Sequence, residues 1–277
     1  MNASAPESGA RREVLKRTAA GAAVELVQDG MVVGLGTGST AAFAVEALGR
    51  RHREGLRFVG IPTSERTAAQ AKAENIPLTS FTEHRQIDIT IDGADEVERD
   101  TLNLIKGLGG ALLHEKIVAA ASQRLAIVVD GFKLVDQLGA RTPVPVEVVA
   151  FGLETTQAAL ELLGAKARLR LSATDKPFVT DSGNRILDCN FGPIADPGQL
   201  EERIRRVVGV VECGLFVGRA DVVFVADTVG VYCLSARSAV VGGPRPSLER
   251  GSKRYLFSHS PKSGEGRIAI RRQLARM

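Results

Sequence analysis

Between residues 92 and 116 the chain concentrates groups that can move protons: Asp92, Asp95, Lys106 and Glu115, with a glycine-rich turn from Lys106 to Gly110. The alternating run Ile87-Asp88-Ile89-Thr90-Ile91 predicts a strand ending at Asp92. Two carboxylates, in Asp92-Gly93-Ala94-Asp95, therefore sit at a strand's C-terminal edge, where open α/β sheets bind ligands. Glycines tolerate the dihedrals that expose backbone N–H groups in the following turn. Glu115 lies in a helical run, His114 to Ala120. A carboxylate base beside a lysine and free N–H groups suits removal of a proton next to a carbonyl, with the oxyanion held in place. Taken singly, Asp and Gly after a strand are ordinary turn residues, and Glu115-Lys116 reads as a solvated helix face. Their concentration makes this stretch the candidate site.

A second feature handles anions. Met31 to Leu35 reads as a short buried strand, followed by Gly36-Thr37-Gly38-Ser39-Thr40 and a helical run from Ala41 to Leu48. Free N–H groups and the macrodipole at a helix N-terminus favour a phosphate or carboxylate. Thr37, Ser39 and Thr40 add hydroxyl donors, and Ser39 or Thr40 can cap the helix. As a dinucleotide fingerprint the turn is poor: Gly36, Gly38 and Ala41 meet only a relaxed form, and the next strand ends in Ile61-Pro62-Thr63 without an acid for a ribose. Nor does a Gly-Lys-Ser/Thr follow, as a Walker A loop needs.

The elements that position these groups alternate. Residues 11–28 predict an amphipathic helix; residues 58–61, 87–91 and 125–129 predict strands. Helices are expected over 66–75, capped by Ser64, and around Glu115. This pattern implies a doubly wound, mostly parallel sheet. Asp130-Gly131-Phe132-Lys133 ends a strand at the same edge as Asp92, bringing Lys133 there. Pro143 and Pro145 rule out a helix and weaken a central strand, so a boundary is placed there. Beyond it, 157–163 and 197–207 read as helices, 166–171 and 210–214 as extended. Asp181-Ser182-Gly183-Asn184 reads as a hairpin turn between 177–180 and 185–189. Runs at 221–226 and 229–234 are expected to return to the first sheet. The organisation inferred is a Rossmann-like catalytic domain from 1–141 plus 215–234, an inserted smaller α+β domain at 142–214, and a basic flexible tail at 235–277.

Composition agrees with a globular protein: 44% hydrophobic and 25% charged residues. No apolar run reaches bilayer length, and Asn2 to Ala10 lacks the apolar core of a secretory signal. Cys189, Cys213 and Cys233 lack metal spacing and read as buried thiols in a reducing cytoplasm. The four histidines are equally dispersed, so no metal cluster is expected. The net charge of +4 hides an asymmetry, since residues from Ser235 onward carry +8 and the remainder −4. The tail has little apolar periodicity, and an acidic body offers no face for nucleic acid.

Together, Gly34-Leu-Gly-Thr-Gly-Ser-Thr40, Asp92-Gly-Ala-Asp-Glu96, Lys106-Gly-Leu-Gly-Gly-Ala111 with Glu115-Lys116, and Lys133 resemble the type A ribose-5-phosphate isomerases. Pro145 to Val148 and Asp181 to Asp188 resemble that family's second domain. The resemblance spans roughly residues 11 to 234. It implies interconversion of D-ribose 5-phosphate and D-ribulose 5-phosphate through a cis-enediolate, in the non-oxidative pentose phosphate pathway. No cofactor or metal is implied, and the expected assembly is a homodimer or homotetramer in the cytoplasm. By this resemblance Glu115 is the base, Asp92 the acid assisting ring opening, and Lys106 with the N–H groups after it holds the enediolate; Asp95 joins this catalytic set. Substrate-binding positions are Thr37, Gly38, Ser39, Thr40, Asp92, Gly93, Ala94, Asp95, Lys106, Gly107, Leu108, Gly109 and Lys133, with Lys16 reaching the phosphate. Three residues depart from the family: Leu108 stands in a turn usually all glycine, and Leu113-His114 replace a common Thr-Arg. A deaminase, lactonase or coenzyme A transferase on a similar scaffold lacks the joined Asp-Gly-Ala-Asp and Lys-Gly motifs. A non-catalytic sugar-phosphate sensor has no need of Asp92, Lys106 and Glu115.

Overall fold

The computed structural model describes residues 5–235 of the chain. The first helix, α1 (Ala5–Val24), presses Ala19, Ala20, Ala23 and Val24 against the sheet. It stops earlier than the apolar spacing predicts. Arg51 donates 2.6 Å to the Val24 carbonyl, ending the helix with a cation as the dipole favours. Val27 stays buried, but Gly30 at φ +82° then turns the chain into the sheet.

Next come β1 (Val32–Leu35), α2 (Ala41–Arg53), β2 (Val59–Pro62), α3 (Glu65–Ala73) and β3 (Ile89–Gly93). Ser64 caps α3 by accepting from the Thr67 N–H, as expected. Neither Ser39 nor Thr40 caps α2: Thr40 is its N-cap without a side-chain bond, and the Ser39 hydroxyl is taken by Lys16. A hairpin of β4 (Glu96–Glu98) and β5 (Leu104–Ile105) precedes α4 (Leu112–Ala120), β6 (Leu125–Asp130) and β7 (Leu134–Val135). The next segment holds β8 (Val144–Val148), α5 (Leu153–Leu162), β9 (Lys166–Leu169), β10 (Arg185–Asn190), α6 (Pro197–Arg205) and β11 (Val210–Cys213). The chain closes with β12 (Leu215–Phe216), β13 (Val222–Ala226) and β14 (Val231–Ser235).

The principal sheet has the order β14-β13-β6-β3-β1-β2, parallel throughout except where β14 runs against β13. This is the doubly wound, mostly parallel sheet expected, and 222–235 do return to it. β6 is buried along its whole length, as a strand covered on both faces should be. A second, antiparallel sheet runs β11-β8-β10-β9 over its own apolar cluster.

Two sequence expectations need correction here. Pro145 does not keep β8 off centre; β8 lies between β10 and β11. The Pro145 carbonyl accepts from Gly214 at 2.7 Å, so the edge lacking an N–H faces the point where β11 has ended. Residues 177–180 form no strand: β10 pairs with β8 and β9, and Pro177 makes one isolated bridge to Leu171. The turn itself exists, closed by Thr180 and Asn184 with Gly183 at φ +81°. A third small sheet, β12-β5-β4-β7, was not foreseen, because strands of two or three residues carry no readable period. The three cysteines are buried and unpaired. The tail lies outside the described residues beyond Ser235, which ends β14.

Gly214 makes this junction possible. A Cβ there would stand 2.1 Å from the Lys106 carbonyl and 2.9 Å from Pro145 Cδ. Gly214→Ala is expected to destabilise by at least ~2 kcal/mol and lower activity through Lys106. In contrast, Gly21→Ala in α1, with open space around it, should stabilise by ~0.5–1 kcal/mol. Urea denaturation of both variants checks the pair.

Candidate active site

The ends of β1, β3 and β6 and the turn before α4 converge on an open cleft. Its lining includes Thr37 to Thr40, Gly93 to Asp95, Lys106, Gly107, Gly109, Glu115 and Lys133, all of them residues singled out from the sequence. Three other candidates stand off the wall. Asp92 lies just beneath it, 1% exposed. Leu108 turns its side chain to solvent but keeps its N–H on Asp95 Oδ2 at 2.9 Å. Lys16 reaches in from α1, its ammonium 2.8 Å from the Ser39 hydroxyl.

The centre is a buried ammonium. Lys106 follows β5, and the β4–β5 hairpin sets it near Asp95. Its Nζ donates to the Gly93 carbonyl at 2.6 Å and to Glu115 Oε1 at 3.1 Å, and lies 2.9 Å from Asp92 Oδ2. Burial alone would push the lysine down, but Asp92 and Glu115 beside it reverse this and hold it above its ordinary value. Burial raises Asp92, which Lys106 only partly offsets. Burial likewise pushes Glu115 up to about 8, against the pull of Lys106 and with help from the Asp92 charge. Two buried oxygens accept no hydrogen bond: Glu115 Oε2 and Asp92 Oδ2, whose contact with Lys106 is an ion pair without hydrogen-bond geometry. Such atoms are costly unless something else satisfies them.

The glycine turn before α2 forms the other end. The Thr37 N–H donates to Asp92 Oδ1 at 3.1 Å, coupling the two ends. Its hydroxyl donates to Ser64 at 2.7 Å, within a buried cluster that includes Thr63 and Thr67. The Thr37 side chain is therefore not the free donor expected. The N–H groups of Gly38, Ser39 and Thr40 donate to no described residue, which leaves three donors beside a helix N-terminus. Lys133 sits in a short 3-10 turn that Asp130 caps by accepting from Phe132 at 3.0 Å.

Lys116, next to Glu115, points away into a second ion cluster, bound by Glu201 at 2.8 Å, Glu212 at 2.9 Å and the Leu215 carbonyl. Glu201, Glu212 and Cys213 have metal-like proximity, but the ammonium already satisfies these carboxylates. Phe216 lies between the two lysines, 5.4 Å from Lys106 Nζ and 4.9 Å from Lys116 Nζ. His114 bonds Ser182 at 2.9 Å, tying the start of α4 to the 181–184 turn. Phe216, the Thr63–Ser64–Thr67 cluster and Arg170, whose guanidinium meets the Gly107 carbonyl at 2.8 Å, were missed from the sequence. No short-range spacing marks them.

A parallel sheet edge with a phosphate-type turn at one end and a carboxylate–lysine centre at the other defines a proton-transfer enzyme for small anionic substrates. Comparison with known proteins narrows this. The family model described as ribose 5-phosphate isomerase A (phosphoriboisomerase A) matches residues 59–230. The ribose-5-phosphate isomerase A of Gloeobacter violaceus is 62% identical over 227 residues, 82% of this chain and 98% of that protein. That of Gluconobacter oxydans is 57% identical, covering 81% and 97%. The solved ribose 5-phosphate isomerase A of Methanocaldococcus jannaschii superimposes with a TM-score of 0.78 at 44% identity, covering 81% of this chain and all of that one. A D-ribose-5-phosphate isomerase in complex with phospho-erythronic acid gives 0.79 at 40% identity, covering 81% and 99%. The chain belongs to the ribose 5-phosphate isomerase A family.

The Glu115 environment carries a stability consequence. An acid raised from 4.5 to about 8 on folding binds a proton that the unfolded chain has released. Its contribution is present in acid and is lost as pH rises through the folded value. Between pH ~5 and ~8, thermal stability should fall more steeply in the wild type than in Glu115→Gln. Parallel melting curves for the two proteins across that range would contradict the assigned burial.

Proposed function

We propose that this protein is an aldose–ketose isomerase that interconverts D-ribose 5-phosphate and D-ribulose 5-phosphate through a cis-enediolate, in the non-oxidative pentose phosphate pathway. The observation that carries the reading is one buried ammonium, Lys106, held between Asp92 and Glu115, with Glu115 Oε2 buried and without a partner. An open-chain sugar offers this centre a C–H proton beside a carbonyl for Glu115 and a hydroxyl for Asp92. Glu115 takes the C2 proton of the aldose and returns it to C1. A base poised near neutrality releases and accepts a proton at comparable cost.

As the proton leaves C2, negative charge grows on the carbonyl oxygen. Lys106 and the N–H groups of the turn after it receive that charge, worth most in a dry site. Asp92 moves the hydroxyl protons, including the one transferred in ring opening, and Asp95 steadies the turn through Leu108. The phosphate rests on the N–H groups of Gly38, Ser39 and Thr40, with Lys16 nearby. Lys133 binds the substrate from the opposite wall. None of these steps calls on a cofactor.

We further propose that the protein works in the cytoplasm as a homodimer or homotetramer. Among the described residues no helix is long and apolar enough to cross a membrane. The inserted unit at 142–214 is read as support for the site, since its apolar cluster takes in Ile105, next to Lys106.

The test is conversion of ribose 5-phosphate with EDTA present. The wild type should turn over, with kcat/KM rising as pH climbs toward about 8 while Glu115 loses its proton. Glu115→Gln should lose ~10²–10⁴-fold in kcat with substrate still bound, and Asp92→Asn should also fall. Near-normal turnover by Glu115→Gln would remove it from the role of base. A folded wild type without turnover would reject the isomerase reading.

A further inference from the structure

Arg170 stands outside the cleft, in the segment after β9, yet its guanidinium reaches the turn that follows Lys106. Nη1 donates to the Gly107 carbonyl at 2.8 Å and to the Leu108 carbonyl at 3.1 Å. The other face of the guanidinium is held by Asp188 on β10, through Nε at 2.9 Å and through Nη2. The side chain is largely buried, 11% exposed, so this is a fixed arrangement and not a surface contact.

The two carbonyls belong to the peptide units whose N–H groups are those of Leu108 and Gly109. In a trans peptide the N–H points opposite the C=O. A cation on both carbonyls therefore lies behind two donors that face the other way. Leu108 N–H donates to Asp95 Oδ2, a wall of the cleft. Gly109, itself on that wall, has an N–H that donates to no described residue. Charged hydrogen bonds to a carbonyl polarise the whole peptide and strengthen the donor at its far end. The turn also needs an external anchor. Gly107 and Gly110 sit at φ +104° and +84°, and Leu108 stands exposed between them.

We propose that Arg170, oriented by Asp188, is a positioning residue for the isomerisation. It fixes the 107–110 turn, strengthens the Leu108 N–H on Asp95 and polarises the free Gly109 N–H that stabilises the developing oxyanion. The inference rests on the isomerase reading above. It explains how an inserted antiparallel sheet contributes to chemistry performed at the edge of another. It also fits the tolerance of leucine at 108, where the working atom is the N–H.

A role confined to the oxyanion predicts a split between kinetic constants. Substrate binds with a neutral carbonyl and uses these donors weakly, whereas the enediolate uses them fully. The probe for the charged state is 4-phospho-D-erythronate, whose carboxylate stands in for the enediolate oxygens. Arg170→Met should lower kcat ~10–100-fold and weaken inhibition by 4-phospho-D-erythronate in parallel, with KM changed less than ~3-fold. Arg170→Lys keeps charge without the planar fork and should fall between wild type and Met. Asp188→Asn, which loosens the guanidinium, should show the same split more mildly. Should Arg170→Met fail to fold, the Lys and Asn variants carry the test. Loss of KM and kcat in equal proportion, or full activity in these folded variants, would overturn the proposal. An inactive wild type would defeat the isomerase reading and this inference together, whereas an active wild type with unaltered variants defeats this inference alone.

Discussion

The site depends on one ammonium buried among carboxylates. Lys106 is 2% exposed, within 3.1 Å of both Asp92 and Glu115 and bonded to a carbonyl. A lone buried charge would lose its proton or unfold the chain; paired charges persist only where geometry and hydrogen bonds offset desolvation. Here the offset is incomplete by design of the ligand site. Glu115 Oε2 remains without a donor, and Asp92 Oδ2 has only the ion pair with Lys106. Such displaced carboxyl pKa values cluster at functional sites, where burial and neighbouring charges are set against stability.

Holding that cluster needs rigid surroundings on every side, and each comes from a different element. Asp92 rides at the end of β3, and its other oxygen accepts from Gly93 and Thr37, so one carboxylate ties the glycine turn before α2 to the Lys106 centre. Glu115 rides on α4, which no side chain caps. Lys116 supplies the missing anchor by locking an adjoining face of that helix to Glu201, Glu212 and the Leu215 carbonyl. Phe216 separates the two ammoniums with an apolar ring whose face favours both. The helix therefore cannot rotate Glu115 away without breaking a second buried ion cluster.

Much of this was legible in residue order because strand, glycine turn and helix repeat at short range. The parallel sheet followed from alternating apolar runs, and its C-terminal edge followed from Asp92, Thr37 and Lys133 ending or following strands. What stayed hidden involves contacts across large separations. Arg170 meets residues 62 and 63 positions away, and Lys116 meets Glu212 96 positions away. No periodicity records such pairings. Pro145 misled for a related reason: its tolerance in a central strand rests on Gly214, distant in sequence but adjacent in space. Thr37 offered a hydroxyl by type, but buried Thr63, Ser64 and Thr67 had already claimed it.

The departures from the family pattern acquire a physical meaning in three dimensions. Leucine at 108 changes a side chain that is 41% exposed and leaves untouched the N–H bonded to Asp95. Because the useful atoms of that turn belong to the backbone, side-chain identity matters only where φ is positive, at Gly107 and Gly110. At Gly110 the constraint is doubled, since a Cβ would meet the Phe178 ring at 2.4 Å. His114 replaces a cation near Glu115, but its ring is engaged with Ser182 and does not enter the carboxylate's hydrogen bonds. The Glu115 carboxyl is shifted instead by burial, by Lys106 and by Asp92. A site whose electrostatics come from buried charges and backbone dipoles can accept such changes at its rim with those charges and dipoles left in place.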